Sequence, residues 1–184
     1  MNDFGDSTVF SDRGTEAEPE PEPPDGLALT IVREDGDWTG MEPLETAIRG
    51  SAAALASHPA CERARGAEAS VALASDARVR ALNGTYRGKD APTNVLSFPF
   101  QDPPGASSEE SYLGDVVLAA ETVRKEAQER GIPPLHHVQH LVVHGLLHLL
   151  GYDHESEAEA DEMERVEAEI LGKLGIDPFA AYHA

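Results

Sequence analysis

Three histidines near the end of the chain have the spacing of ligands to one metal ion. His144 and His148 are four residues apart in the apolar segment 134–150, so on a helix both imidazoles lie on one face, one turn apart. Gly151 can end that helix with a positive φ angle, and the chain can then turn back to present His154. Three nitrogen ligands with a fourth position left for water are typical of catalytic zinc. We therefore predict one Zn²⁺ per chain at the end of an apolar helix.

Several residues in this segment have more than one possible role. His144 and His148 could be hydrogen-bonded core histidines, but their spacing, the helix stop and the third histidine favour a metal site. His140 lies one turn earlier and could be a fourth ligand. We expect it to pack or to support a ligand, because catalytic sites keep a coordination position open. Asp153 could accept a hydrogen bond from a ligand imidazole or could be a turn residue.

The residue after the first histidine bears on the reaction class. A metal site of this kind lowers the pKa of bound water to about 7 and can serve several hydrolytic reactions. Zinc peptidases of the H-E-x-x-H class carry their general base, a glutamate, directly after the first histidine. Gly145 occupies that position here, which argues against a metallopeptidase.

The elements predicted around these residues form one α+β domain over residues 27–184. Alternating apolar residues predict strands from Leu27, around Val71 and Leu73, and over 95–100 and 112–119, the last two forming a hairpin. Helical periodicity and cap residues predict helices over 44–55, 75–82, 121–130, 134–150 and 156–174, the second ending at Asn83-Gly84. The expected architecture is a small four-stranded sheet packed by about five helices.

The net charge of −20 is concentrated in two segments. Residues 1–26 hold eight acidic residues and one arginine, and this Pro- and Glu-rich stretch is predicted to be a disordered tail. Residues 153–170 hold nine acidic residues and one arginine, and the run from Glu155 to Glu169 is predicted to be a solvated helix face. The charge is therefore only weak evidence against a polyanionic partner, since a basic cluster lies near Arg87 and Lys89.

The cysteine count and the lengths of the apolar runs indicate where in the cell the protein works. Cys61 is the only cysteine, which excludes an internal disulfide, and no apolar run reaches the roughly 20 residues that span a bilayer. We expect a cytoplasmic protein without a membrane partner. Among the other histidines, His136 and His137 are expected to be partly exposed, and His58 and His183 have no visible partners.

Three motifs together resemble one protein family. The run H-G-L-L-H-L-L-G-Y-D-H, residues 144–154, resembles the signature of the YbeY family of bacterial metal-dependent endoribonucleases. The segments L-N-G-T-Y-R-G-K-D-A-P-T-N-V-L-S-F-P, residues 82–99, and L-G-D-V-V, residues 113–117, agree with that family in type and order. The resemblance covers about residues 27–180 and leaves out the acidic tail and the loop at 102–110.

The resemblance implies a fold, a metal and a substrate. It implies a small mixed sheet, zinc held by His144, His148 and His154, and an important arginine at Arg87. It also implies action on rRNA, notably at the 3′ end of precursor 16S rRNA, in ribosome quality control and with the small ribosomal subunit. We expect single-stranded RNA as the substrate and no DNA partner, with Arg87 and His144 catalytic and Arg87 and Lys89 contacting RNA.

Some alternatives stay open at the level of sequence. A guanidinium at position 87 can grip two phosphate oxygens, but it could instead be a surface or salt-bridge arginine. The nucleophile could be water or the RNA 2′-hydroxyl, and nickel or iron would also accept imidazoles. A non-enzymatic ribosome-assembly factor, in which zinc mainly holds the fold, is the alternative that the acidic charge favours.

Overall fold

Four strands form the mixed sheet on which the helices pack. The computed structural model describes residues 25–101 and 111–178, and the predicted tail up to residue 24 and the loop 102–110 lie outside the described residues. The strands are β1 Ala28–Arg33, β2 Glu68–Ala74, β3 Val95–Pro99 and β4 Tyr112–Ala119. Their order is β1-β2-β4-β3, with only β3 antiparallel to its neighbour. The predicted four-stranded sheet and its β3–β4 pairing are thus confirmed.

Five α-helices and one short 3₁₀ helix, Pro59–Ala64, complete the described part of the chain. The α-helices are α1 Leu44–Ala56, α2 Asp76–Arg87, α3 Ala120–Arg130, α4 Pro134–Leu149 and α5 Glu157–Lys173. The predicted α+β class is therefore confirmed. No helix within these residues combines the length and the apolar composition that crossing a bilayer requires.

Strand alternation gives the sheet two buried faces. Successive residues of a strand point to opposite sides, so neighbours in β4 serve different clusters. Val116 and Leu118 face the larger core, where α4 packs against the sheet and also contacts α1, α3 and α5. Val117 and Ala119 face a smaller cluster under α2. Helix α4 is consequently buried on most sides, which explains its nearly continuous apolar sequence.

Helix α2 is longer than the sequence predicted. The expected stop at Asn83-Gly84 is wrong, because the helix continues to Arg87 and ends at Gly88 in the left-handed region. Asn83 does not cap the helix. Its buried side chain donates from Nδ2 to the carbonyl oxygen of Ala91 at 2.8 Å, which holds the following loop against the helix. The extra turn carries Arg87 to the edge of the sheet beside β3.

Gly145 allows α4 to approach the sheet closely. A Cβ atom at this position would lie 2.7 Å from Cγ1 of Val116 and 3.1 Å from Oγ of Ser97. The Ser97 hydroxyl also donates to the Gly145 carbonyl at 3.1 Å, which ties the middle of α4 to β3. Position 145 therefore faces the sheet, and no larger side chain fits there without displacing α4.

We predict that Gly145→Ala lowers the free energy of unfolding by about 1–3 kcal/mol, because the added methyl overpacks the contact with Val116. Gly172→Ala is the matched control, since a Cβ there meets nothing within 4 Å and the residue lies inside α5. The control should raise the free energy of unfolding by up to about 1 kcal/mol through helix propensity. Urea unfolding measures both, and equal effects in the two variants would contradict the packing account.

Candidate metal centre

The three predicted ligands converge at the C-terminal end of α4. His144 and His148 lie on consecutive turns, and Gly151 adopts a φ of 97° that reverses the chain and brings back His154. One ring nitrogen of each histidine lies within 4.8 Å of those of the other two. The Nε2 atoms of His144 and His148 are 3.1 Å apart. The sequence-predicted helix stop and return are therefore present in the fold.

The opposite ring nitrogens of two of these histidines contact acceptors. His148 Nδ1 lies 2.9 Å from the carbonyl oxygen of Tyr152, which can only accept, so Nδ1 carries the proton. His144 Nδ1 lies 3.3 Å from Oε1 of Glu167, a carboxylate on the side of the ring opposite Nε2. Asp153, the alternative acceptor, instead receives the backbone N–H of His154 at 2.8 Å. With the His144 proton on Nδ1 as well, both Nε2 atoms would present lone pairs to the same point.

This arrangement fits a tetrahedral zinc ion. With both protons on Nδ1, two facing lone pairs 3.1 Å apart would repel each other unless a cation lay between them. Nitrogens bound to zinc at ~2.0–2.1 Å with tetrahedral angles are about 3.3 Å apart, close to the observed separation. Burial, together with the neighbouring His144, lowers the pKa of His148 below 6.5, so this imidazole is neutral at neutral pH, as a metal ligand must be.

Glu167 is the residue of this site that the sequence analysis missed. The run Glu155 to Glu169 was expected to be solvated, but the Glu167 residue is only 1% exposed. Burial raises the pKa of Glu167, and contacts with His140 and His144 outweigh it and lower the pKa to about 2. The sequence did contain a signal for the burial of Glu167, because position 167 lies at helical spacing from Met163 and Ile170, within the apolar stripe of α5.

His140 supports this carboxylate. Its Nε2 lies 3.1 Å from Glu167 Oε1, and the residue is 6% exposed. A second group of potential ligand atoms, from His140, His144 and Glu167, thus adjoins the first and shares His144 with it. The packing or supporting role expected for His140 agrees with these contacts.

The three histidines and Arg87 line one cleft of about 670 Å³. Its walls come from the loop before β3, one face of β3, the end of α4 and the turn that follows it. The other lining residues are Thr93, Asn94, Val95, Ser97, Pro99, Gly151, Tyr152, Asp153 and Glu155. Lys89 is exposed beyond the end of α2 and is not one of the lining residues.

Arg87 differs from the other arginines of its helix. Arg78 pairs with Glu34, and Arg80 makes two hydrogen bonds to Asp90. Within residues 25–101 and 111–178, no carboxylate forms an ion pair with Arg87. The salt-bridge alternative for Arg87 therefore finds no partner in the described residues, and its guanidinium is available to an anion in the cleft.

The expectation for His137 is wrong, because this residue forms a buried pair with Glu126 behind the cleft. The residue was expected to be partly exposed, but it is fully buried, and its Nε2 lies 2.7 Å from Oε2 of Glu126. Asn94 donates to the same oxygen at 2.9 Å and lines the cleft. The pair thus anchors part of the cleft wall. The start of α4 packs on α3, and this contact between helices has no local sequence signal.

His58 also has a partner that the sequence did not reveal. It is buried, its Nδ1 accepts the backbone N–H of Ala60, and its Nε2 lies 2.9 Å from Glu169 of α5. His136 is partly exposed as expected, and His183 lies outside the described residues. Neither His58 nor His136 lines the cleft.

We predict that Glu126→Gln lowers the free energy of unfolding by about 1–3 kcal/mol at neutral pH, because a charged acceptor is lost. Burial raises the pKa of Glu126, but His137 and Asn94 lower it overall below 4.5. The carboxylate therefore stabilises the fold above pH 4.5, and the difference from wild type should shrink as the pH falls below that value. Exposed Glu129→Gln is the control, and a pH-independent difference for Glu126→Gln in urea unfolding would contradict this assignment.

Comparison with known proteins identifies the family of the chain. A model of the family described as endoribonuclease YbeY matches residues 38–175. The chain is 48% identical over 156 residues to a protein named endoribonuclease YbeY from Azorhizobium caulinodans, covering 84% of this chain and 97% of that relative. A protein of the same name from Bradyrhizobium diazoefficiens is 46% identical over 158 residues, covering 84% and 86% of the two chains.

One solved structure has a similar fold. The solution structure of a Thermotoga maritima protein is 24% identical, with a TM-score of 0.50, and the match covers 80% of this chain and 91% of that one. At this identity the likeness concerns the fold alone. The family match and the relatives, which are similar over most of their length, establish the assignment. The chain belongs to the YbeY family of endoribonucleases.

Proposed function

We propose that the chain is a zinc-dependent endoribonuclease that hydrolyses phosphodiester bonds of single-stranded rRNA. The observation that carries this proposal is the convergence of three imidazoles in a cleft that Arg87 also lines. The volume of about 670 Å³ lies within the range of sites that hold a small ligand, such as a nucleotide of a longer strand.

The ligand histidines and the arginine have separate roles in this proposal. His144, His148 and His154 would hold the ion, and bound zinc supplies Lewis-acid polarisation and activation of the attacking oxygen. Arg87 orients the scissile phosphate and stabilises the negative charge that develops on its oxygens. The face of β3 that lines the cleft, with Ser97 tied to α4, forms a rigid wall against which the strand can lie.

The charge distribution supports one direction of approach for RNA. Glu155, which directly follows His154, is exposed, as are Glu157 and Glu159 in the first turn of α5. These carboxylates repel phosphates on that side of the cleft. Arg87, the last residue of α2, lines the cleft, and exposed Lys89 follows it two residues later. The proposed RNA path therefore runs over the end of α2, where Lys89 contacts the RNA backbone outside the cleft.

Family membership supports the finer assignment of substrate and partner. We propose that the substrate is the 3′ end of precursor 16S rRNA, cleaved late in maturation and in ribosome quality control. The small ribosomal subunit would be the assembly that presents this RNA, which places the reaction in the cytoplasm. The amino-terminal residues 1–26 are proposed to be an acidic tail outside the catalytic domain of residues 27–184.

A metallopeptidase is a poorer explanation of the site. A glutamate at position 145 would be directed at Val116 in the sheet, because that side of α4 is packed against β4. The general base of that peptidase class therefore has no place at this position of the fold.

Loss of one ligand should remove metal and activity together. We predict that His154→Ala and His144→Ala each lose bound zinc and cleave RNA no faster than wild type treated with a chelator. Metal analysis, and cleavage of RNA with the sequence of a precursor 16S rRNA 3′ end, measure the two effects. His136→Ala, on the same helix and outside the cleft, should retain both. Full zinc content in His144→Ala would contradict the ligand assignment.

Arg87→Ala should separate catalysis from metal binding. We predict unchanged zinc content and a kcat lower by about 100-fold, the usual cost of losing a donor aimed at transition-state charge. Arg78→Ala on the same helix is the control and should cleave as wild type does, since Arg78 pairs with Glu34 away from the cleft. If Arg87→Ala supported 16S rRNA maturation in cells as well as wild type does, a non-catalytic assembly role would be the better explanation.

A further inference from the structure

A charged carboxylate lies inside the contact between α4 and α5. Glu167 is 1% exposed, and its neighbours on α5 include the buried apolar residues Met163, Val166 and Ile170. Removing a carboxylate from water costs several kcal/mol even after the protein relaxes, and replacing a whole buried ion pair by apolar residues often leaves a fold equally stable or more stable. Stability of the helix contact is therefore only a weak reason for a glutamate at this position.

The contacts of Glu167 connect it to the metal site. Its Oε1 lies 3.3 Å from Nδ1 of His144 and 3.1 Å from Nε2 of His140. The carboxylate thus contacts the ring nitrogen of His144 opposite Nε2, which lies 3.1 Å from Nε2 of His148. His140 contacts the same oxygen from the preceding turn of α4, which holds the carboxylate in place.

We propose that Glu167 is a positioning residue that keeps the His144 proton on Nδ1, so that Nε2 presents its lone pair to the metal ion. This inference rests on the zinc site of the proposed function. Without the carboxylate, His144 is free to carry its proton on Nε2, the nitrogen that must bind the metal, and its ring can rotate. The backbone carbonyl of Tyr152 provides the equivalent contact for His148, so Glu167 completes a pair of fixed ligands.

Two variants of Glu167 test this role without an activity assay. Glu167→Met fills the space with an apolar side chain, and Glu167→Gln keeps the shape without the charge. Each should bind zinc about 10–100-fold more weakly than wild type, the usual effect of losing a partner that orients a ligand histidine. Competition with a chromophoric chelator measures the affinity, and Glu164→Gln, exposed on the same helix, should bind as wild type does.

The tautomer of His144 provides a second readout in the metal-free protein. Long-range ¹H–¹⁵N NMR spectra should place the proton of His144 on Nδ1 in wild type, and should show Nε2–H in Glu167→Met. A residue that only packs would leave this tautomer unchanged. Wild-type zinc affinity in both variants, or Nε2–H at His144 in the wild-type protein, would overturn the proposal. If neither variant folds, the wild-type tautomer decides the question.

These measurements also separate two kinds of failure. If wild type binds zinc with Glu167 in this role and cleaves no RNA, the proposed nuclease function fails and the role of Glu167 stands. If RNA is cleaved and the zinc affinity of both variants equals that of wild type, only the role of Glu167 fails.

Discussion

The close approach of two imidazole nitrogens is the constraint on which the rest of the site depends. Nε2 of His144 and Nε2 of His148 lie 3.1 Å apart, and the Nδ1 atom of each ring lies within 3.3 Å of an acceptor oxygen. If both rings carry their proton on Nδ1, such a pair is unfavourable without a cation and favourable around one. The buried Glu167, the reversal at Gly151 and the exposed His154 all have a role once that cation is assumed.

The packing of α4 on the sheet places the histidines in a cleft. Gly145 lets the helix approach β4 closely, and the hydrogen bond from Ser97 to its carbonyl ties the helix to β3. The histidines that follow on α4 therefore face the same space as β3 and the end of α2. The antiparallel edge strand β3 forms one wall of this cleft. Helix α2 is one turn longer than expected, and its last residue, Arg87, lines the same cleft.

Local patterns predicted the parts of the fold that depend on neighbours in sequence. The strands, the α4 periodicity, the Gly151 turn and the three converging histidines follow from spacing alone, and the motifs added the family. Glu167 and His137 could not be placed in the same way, because their burial depends on which helices pack together. Asn83-Gly84 was misjudged because Asn83 is held by the loop at Ala91, a contact that helix-end statistics do not contain.

The most direct test of the account is X-ray absorption spectroscopy of the zinc-loaded protein, which counts the imidazoles around the ion. We expect three imidazole nitrogens at ~2.0–2.1 Å and one further light ligand, as in open catalytic sites. The His154→Ala variant, loaded at high zinc concentration, should show one imidazole fewer. A sulfur ligand, or the same imidazole count in wild type and His154→Ala, would contradict the assignment of these three histidines.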